Sequence, residues 1–324
     1  MRRALAAALE SIADVDPRIV VITGDLGYMV LDRFAERFPQ RFFNAGVAEQ
    51  DMVGMATGLA DAGFIPFVYS ISTFAVLRPY EFIRNGPVQH RLPVRIVGIG
   101  CGFDYGLNGM SHYGLEDVAV LRCQPGLTIV APADEAQTRA AIRATWALPG
   151  PIYYRIGKDD VPAVPGLDGE FALGRAQVIA RGCDVLLIAM GNAAGEVAAA
   201  ARDLAARGVS ATVAVVASVA PPPVEDLLHL LRSHPIAFTI EAHYTTGGLG
   251  SLTAELIADA GLKCPLVRCG ISSLPDGVTG SSRFLMERER LTAPHLAARV
   301  LAALGRSESS TTVPGLVELP TQTV

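Results

Sequence analysis

Short, almost wholly apolar runs recur through the first half of this 324-residue chain and constrain its fold more than any other feature. The first is RIVVIT at residues 18–23, and similar runs occupy residues 64–70, 94–100 and 127–132. A strand that is apolar on both faces is typical of a parallel sheet covered by helices on both sides. Because residues 151–157 have the same character, we expect them to close this sheet.

The same alternation of strands and helices returns in the second half of the chain. We predict strands at residues 185–190, 211–217, 237–241 and 266–269, and helices at residues 194–207, 223–232, 248–260 and 293–303. Prolines and a glycine interrupt both patterns in VPAVPG at residues 161–166.

The sequence therefore predicts an α/β protein with two consecutive parallel-sheet βαβ domains. The first domain covers residues 1–160, a linker covers residues 161–172, and the second domain covers residues 173–305. The tail over residues 306–324 is rich in Ser, Thr and Pro, and we expect it to be mobile.

Composition argues against several classes of function. The chain is 50% hydrophobic and 18% charged with a formal net charge of −5, so no basic face for nucleic acid or a membrane surface is indicated. No apolar run approaches the ~20 residues that span a bilayer. Chemistry on a small molecule is the class of function that remains.

The cysteines and the N-terminus indicate an ordinary reducing compartment. The five cysteines are widely spaced and form no CxxC pair, so the sequence predicts neither a disulfide framework nor a zinc site. The N-terminal segment MRRALAAALESIADVD has a basic start and an apolar run, but acidic residues follow directly and no cleavage site is evident. We interpret this segment as a first helix and expect a cytoplasmic location.

One acidic residue lies on the apolar face of a predicted helix. From residue 48 onward, Glu49 lies at helical spacing from three apolar residues, namely Val53, Ala56 and Ala60. Its carboxylate is therefore expected to face the core. Two explanations are open. The helix dipole favours an acid in the first turn, and a buried carboxylate is also retained where it meets a specific partner.

Three further side chains with useful chemistry follow predicted strands. Asp25 follows the first strand, Phe74 follows residues 64–70, and His112 is the single imidazole of the glycine-rich loop at residues 101–114. Ligands of open α/β sheets gather at the carboxyl ends of the strands. Each residue also has a structural interpretation, because an Asp can order a turn, a Phe can pack in the core and a His can lie on the surface.

These residues belong to a longer series of motifs. The run F-x-N-x-G-V-A-E-Q-x-M-x-x-x-A-x-G-L-A-x-x-G-x-x-P-F at residues 42–67 resembles the pyrimidine-binding domain of thiamine-diphosphate enzymes of the transketolase family. The resemblance continues through STF at residues 72–74, NGMSH at residues 108–112, Arg155, and EAH followed by GGLG within residues 241–250. It extends to about residue 305 in the family's order and so includes the family's C-terminal domain.

The resemblance implies a site for thiamine diphosphate. Glu49 is implied to act on the ring nitrogen of the aminopyrimidine and so to activate the cofactor, and Phe74 is implied to pack on that ring. Asp25 and Arg78 are implied to bind the cofactor, although Arg78 could instead face a partner subunit. His112 is implied to contact the hydroxyl of a sugar donor and to assist proton transfer.

The implied substrate residues match the family's pattern only in part. They are His112, Asn108, and Arg155, which stands at the family's phosphate-binding arginine position with Lys158 nearby. Asn108 stands where related enzymes have an aspartate that reads a substrate hydroxyl, and Gly100 or a close neighbour stands where they have a histidine. Because an amide is not a charged acceptor and a lost imidazole opens space, we expect an unusual ketose as substrate.

The resemblance also implies a partner. A complete transketolase carries, ahead of this region, a diphosphate-binding domain whose GDG…N segment holds Mg²⁺. The chain has GDLG at residues 24–27 without the asparagine pattern, so we predict no metal site in it. It resembles the C-terminal half of a split transketolase, and we expect an α2β2 assembly in which a separate N-terminal subunit holds the diphosphate and Mg²⁺.

Two other interpretations stay open at this point. The chain could be the β subunit of a different thiamine enzyme, either a 2-oxo-acid dehydrogenase or a decarboxylative ligase such as deoxyxylulose-phosphate synthase. The NGMSH loop with His112 and the EAH and GGLG segments favour transketolase over the dehydrogenase subunit. The chain could also be a catalytically silent partner, although the presence of Glu49, Phe74 and His112 together argues against that role.

Overall fold

The computed structural model of the protein describes residues 1–159 and 161–306. The predicted mobile tail therefore lies outside the described residues, apart from its first residue. In the part of the chain that is described, no helix has both the length and the apolar character needed to cross a bilayer.

The described residues form twelve strands and twelve α-helices. The strands are β1 (Ile19–Thr23), β2 (Phe42–Asn44), β3 (Ile65–Ile71), β4 (Arg95–Ile99), β5 (Thr128–Val130), β6 (Ile152–Ile156), β7 (Gln177–Ala180), β8 (Val185–Met190), β9 (Ala211–Val216), β10 (Ser218–Ala220), β11 (Ala237–Tyr244) and β12 (Leu266–Ile271). The helices are α1 (Arg2–Val15), α2 (Asp32–Arg37), α3 (Glu49–Asp61), α4 (Ser72–Val76), α5 (Tyr80–Ile83), α6 (Asp117–Arg122), α7 (Glu135–Thr145), α8 (Ala194–Ala206), α9 (Val224–Ser233), α10 (Leu249–Asp259), α11 (Ser282–Arg288) and α12 (Ala293–Ala303).

The strands form two sheets, one for each half of the chain. The first sheet has the order β10-β5-β6-β4-β3-β1-β2, and the second has the order β12-β11-β8-β9-β7. Every residue of β1, β3, β4, β6, β8 and β9 is buried, as expected for apolar strands covered on both faces. The predicted α/β class with two consecutive, mostly parallel sheets is confirmed.

Two edge strands depart from the parallel pattern. β7 is antiparallel to β9, and β10 leaves the second half of the chain to pair antiparallel with β5 of the first sheet. The expectation that residues 151–157 close the first sheet is wrong, because β6 lies between β5 and β4 and the edge is β10. The second half of the chain thus supplies one edge of the first sheet.

The segment predicted as a linker lies between the start of α7 and the hydrophobic core of the second half of the chain. Val164 and Leu167 are buried, and the Val164 backbone N–H donates to the Asp134 carboxylate at 3.0 Å. Asp134 also caps α7 by accepting the backbone N–H of Gln137 at 2.9 Å. The domain boundaries themselves stay predictions.

The strand order places a topological switch point at the carboxyl ends of β1 and β3. The chain moves from β1 outward to β2 and then returns to the other side of β1 as β3, so the direction of winding reverses between these two strands. Open α/β sheets bind ligands at such a switch point. The segments after β1, β3 and β4 meet there, and α3 begins beside them.

Candidate active site

Glu49 is the first residue of α3 and faces the core. It is 2% exposed and shares the buried side of the helix with apolar residues, namely Met52, Val53, Ala56 and Ala60. The prediction that this carboxylate is buried is confirmed. Burying a charge is costly unless it is paired, so its contacts show what retains it.

The Glu49 carboxylate joins the ends of three segments. Ser70, at the end of β3, donates its hydroxyl hydrogen to Oε1 at 3.1 Å, and Arg78, between α4 and α5, donates from Nη1 to Oε2 at 2.7 Å. Gly24 directly follows β1, and a Cβ added to it would lie 3.4 Å from Oε1. The contacts of Glu49 are with side chains from other elements, which favours the specific-partner explanation over the helix dipole alone.

An aromatic surface lies next to this carboxylate. Phe74 is half-buried, and the Arg78 guanidinium carbon lies 3.8 Å from its ring centroid. The His112 ring meets Phe74 in a T-shaped arrangement with centroids 5.0 Å apart. Arg78, which sequence could not assign, therefore belongs to this site and links Glu49 to Phe74.

His112 is half-buried and is held by its neighbours in the loop. Its Nδ1 lies 2.9 Å from the Ser111 hydroxyl, and the Ser111 carbonyl accepts a hydrogen bond from Thr73 at 3.2 Å. Burial, and then the charge of Arg78, lowers the pKa of His112 below its ordinary value. A neutral imidazole can both donate and accept a hydrogen, as proton transfer requires.

Asp25 lies beside the site but does not touch Glu49. Its carboxylate accepts hydrogen bonds from Asn44 at 2.9 Å and from the Tyr28 hydroxyl at 3.1 Å, and its backbone N–H donates back to Asn44 at 3.0 Å. Its φ of 59° lies in the left-handed region, which Asp tolerates better than most residues. These bonds hold the turn whose first residue, Gly24, packs against Glu49.

Asn108 and Gly100 are the two positions at which the chain was expected to differ from the family at the substrate. Asn108 is exposed on the same loop as His112, as a substrate contact would need to be. The expectation that Gly100 leaves open space is wrong, because a Cβ at Gly100 would collide with the Tyr105 ring. That ring lies 6.1 Å from the ring of His112.

Arg155 does not lie in the site with the other predicted residues. Its side chain is 1% exposed, Nε donates to Asp117 at 2.9 Å, and Nη2 donates to the Gly114 and Ala242 carbonyls at 3.0 Å. Burial disfavours the charge on Asp117, but Arg155, together with His243 and the Tyr153 hydroxyl, outweighs it and holds the pKa of Asp117 below its ordinary value. The guanidinium is committed to bonds within the protein, so we do not retain Arg155 as a substrate ligand.

Sequence reasoning missed two residues that shape the site. Ser70 bonds Glu49 directly, and Asn44 holds Asp25. Both are polar residues at or near the carboxyl end of a strand, which was the available signal. Within residues 1–159 and 161–306, no group of three His, Cys, Asp or Glu side chains is arranged to hold a metal ion.

Comparison with known proteins extends across nearly the whole chain. The model of the transketolase pyrimidine binding domain matches residues 1–163, and that of the transketolase C-terminal domain matches residues 174–285. A putative transketolase C-terminal section from Methanocaldococcus jannaschii is 35% identical over 93% of this chain and 95% of its own length.

Three further similarities bear on the site. A 6-deoxy-6-sulfo-D-fructose transketolase subunit from Clostridium sp. (strain MSTE9) is 35% identical over 88% of both chains. A 1-deoxy-D-xylulose-5-phosphate synthase from Thermomicrobium roseum is 35% identical over 93% of this chain but only 48% of its own. A split-gene transketolase, solved as an inactive β4 tetramer, superposes with a TM-score of 0.84 at 36% identity, covering 94% of this chain and 97% of its own. The chain belongs to the transketolase family and contains the family's pyrimidine-binding domain and C-terminal domain.

Proposed function

We propose that this chain is the C-terminal subunit of a split transketolase, which transfers a two-carbon ketol unit from a ketose donor to an aldose acceptor with thiamine diphosphate. The observation that carries the proposal is the buried Glu49 carboxylate at the strand switch point, with Phe74 and His112 beside it. The similarity of the whole chain to transketolase subunits supports the same reaction class.

The residues of the site fit the pyrimidine half of the cofactor. Glu49 offers a buried acceptor for a ring nitrogen, and Phe74 offers a half-buried aromatic surface. Thiamine diphosphate, when bound, supplies the carbanion chemistry that amino-acid side chains lack. Glu49 would hold the ring nitrogen of the bound cofactor, while Ser70 keeps one carboxylate oxygen in place.

His112 is the residue that we assign to the sugar. Its ring packs edge-on against Phe74, and its neutral imidazole can move a proton at the donor's hydroxyl. Asn108 is proposed to bind a substrate hydroxyl from the same loop. Lys158, whose Nζ lies 4.8 Å from the Tyr105 ring centroid, is proposed in place of Arg155 as the cation that meets an anionic end of the ketose.

The proposal includes a partner. We propose that a separate N-terminal subunit carries the diphosphate and the Mg²⁺, in an α2β2 assembly whose site lies between subunits. The split-gene transketolase that is similar over nearly the whole chain was solved as an inactive β4 tetramer, which supports the need for a second subunit. The relative named for 6-deoxy-6-sulfo-D-fructose supports an unusual ketose rather than xylulose 5-phosphate as the donor.

Reconstitution tests this function. The purified chain is mixed with a diphosphate-binding transketolase subunit from the same source, thiamine diphosphate and Mg²⁺, and ketol transfer is measured across a panel of ketoses, including sulfonated and branched ones. Transfer by the mixture and by neither subunit alone is the expected result. Release of carbon dioxide from pyruvate or another 2-oxo acid, with no ketol transfer, would instead assign a decarboxylating thiamine enzyme.

Replacing His112 by Ala is expected to lower kcat/KM for the ketose about 10- to 100-fold, because a positioned proton-transfer group is lost at the donor's hydroxyl. Cofactor affinity should stay within about twofold, since Glu49 and Phe74 remain. Steady-state kinetics and calorimetry measure the two quantities. His229→Ala changes an exposed histidine of α9 and serves as the matched control. Equal effects of both variants would remove His112 from the substrate site.

A further inference from the structure

The loop at residues 101–114, here called the glycine loop, carries Asn108 and His112 but has little regular structure of its own. Its ends are joined by two backbone hydrogen bonds between Gly102 and Gly114, at 2.9 and 3.0 Å. Between them lie two single helical turns, Gly106–Asn108 and Met110–His112. Such short turns hold a loop weakly, so the position of His112 depends on what the loop packs against.

Tyr113 connects the glycine loop to the second half of the chain. It follows His112 directly and is 1% exposed. Its hydroxyl lies 2.7 Å from the Val278 carbonyl, to which it donates, and 3.1 Å from the Gly106 carbonyl. The backbone N–H of Gly280 donates to the same Gly106 carbonyl at 3.2 Å. One hydroxyl thus bridges the first turn of the loop and the segment at residues 278–280.

The backbone of the glycine loop also sits directly on the second domain. A Cβ at Gly106 would collide with the Gly280 carbonyl and lie 2.7 Å from Leu285 of α11. A Cβ at Gly102 would lie 2.8 Å from that of Ala242 in β11. Side chains at these positions would lift the loop, so glycine permits the close approach.

The aromatic rings of the loop belong to the core of the second domain. Phe103 and Tyr113 meet edge to face with centroids 5.2 Å apart. Both are part of the buried cluster that contains Ile240 of β11 and Leu285 of α11. The loop that carries the proposed substrate residues is therefore seated on the C-terminal domain as well as on the first domain, from which it departs.

We propose that Tyr113 is a positioning residue, which seats the glycine loop on the C-terminal domain and thereby fixes the His112 ring against Phe74. The C-terminal domain thereby determines the position of the residues proposed to contact the substrate. The proposal rests on the proposed function only in treating His112 as a substrate contact. The geometric part, that Tyr113 fixes the position of the His112 ring, concerns this chain alone.

Tyr113→Phe tests the geometric part on the full chain without any partner. It keeps the ring and its contact with Phe103 but removes the hydroxyl. Tyr244→Phe is the matched control, because the Tyr244 hydroxyl makes no hydrogen bond among the described residues. The chain is labelled at histidine for NMR, and the His112 signal is identified by its loss in His112→Ala.

The expected result is a shifted His112 signal in Tyr113→Phe, with its pKa raised toward the ordinary value because the ring is less buried. Arg78 is the charged group that acts on this ring, and it is unchanged in both variants. Tyr244→Phe should leave the signal and its titration as in the wild type. An unchanged His112 titration in Tyr113→Phe would overturn the proposal.

Kinetics of the assembled enzyme test the consequence. Tyr113→Phe is expected to lower kcat/KM for the ketose about tenfold, since small displacements of a catalytic group are costly. In a His112→Ala background it should add less than about twofold, because the group that it positions is gone. A full tenfold effect in that background would overturn the proposal. A wild-type mixture without ketol transfer would contradict the proposed function, while the NMR result would still decide the role of Tyr113.

Discussion

Replacing Glu49 by Gln is expected to lower the turnover of the assembled enzyme by about 10²- to 10⁴-fold, the range typical of losing a positioned acid–base group. Gln has nearly the same shape as Glu, and the freed Arg78 side chain is 41% exposed and stays hydrated, so the fold should be kept. The expected loss of turnover arises because the variant removes the negative charge of Glu49 from the buried part of the site. Steady-state kinetics of ketol transfer measure the loss of turnover, and circular dichroism checks that the variant is folded.

Asp51→Asn is the control for this prediction. Asp51 lies in the same first turn of α3 but is exposed, so its amide variant removes a charge near the helix N-terminus without touching the buried site. Its turnover should stay within about twofold of the wild type. Equal losses in the two variants would favour the helix-dipole explanation of Glu49. Full activity of Glu49→Gln would favour a catalytically silent subunit.

Replacing Arg155 by Met is expected to reduce the free energy of unfolding by about 3–5 kcal/mol, the usual cost of removing one partner of a buried ion pair. The variant leaves the Asp117 carboxylate buried, with the Tyr153 hydroxyl at 2.6 Å as a remaining donor. It also removes the donors to Gly114 and Ala242, which tie the base of the glycine loop to β11. Urea denaturation of the chain measures the change.

An exposed ion pair provides the matched control. Arg175, whose side chain is 66% exposed, pairs with Asp226 at 2.7 Å, and Arg175→Met should cost no more than about 1 kcal/mol. The double variant Arg155→Met with Asp117→Asn should be more stable than Arg155→Met alone, because no unpaired charge stays buried. Similar costs for Arg155→Met and Arg175→Met would show that the buried ion pair of Arg155 does not stabilise the fold.

The parts of the fold that follow from local pattern were predictable. Apolar runs of strand length identified the buried parallel strands, and helical spacing placed Glu49 on the buried side of α3. The edge strands were not predictable in the same way. β10 is three residues long and pairs with β5 of the other sheet, so no periodicity within it indicates its partner.

The site shows where sequence reasoning fails in physical terms. Arg155 and Asp117 are 38 residues apart, and neither position indicates locally that the other will neutralise it. Arg155 therefore looked like a cation available to a phosphate. The loss of a side chain at Gly100 suggested open space, but Tyr105 occupies it. Both errors concern long-range or side-chain packing, which a motif does not encode.

We propose that this chain contributes one half of a thiamine diphosphate site and that a partner subunit contributes the other. The test is calorimetric titration of thiamine diphosphate with Mg²⁺ into the chain alone, into the N-terminal subunit alone and into their mixture. Tight binding is expected only in the mixture, and binding should be greatly weakened when the chain carries Glu49→Gln. Tight binding by the chain alone, or no binding in the mixture, would contradict the two-subunit site.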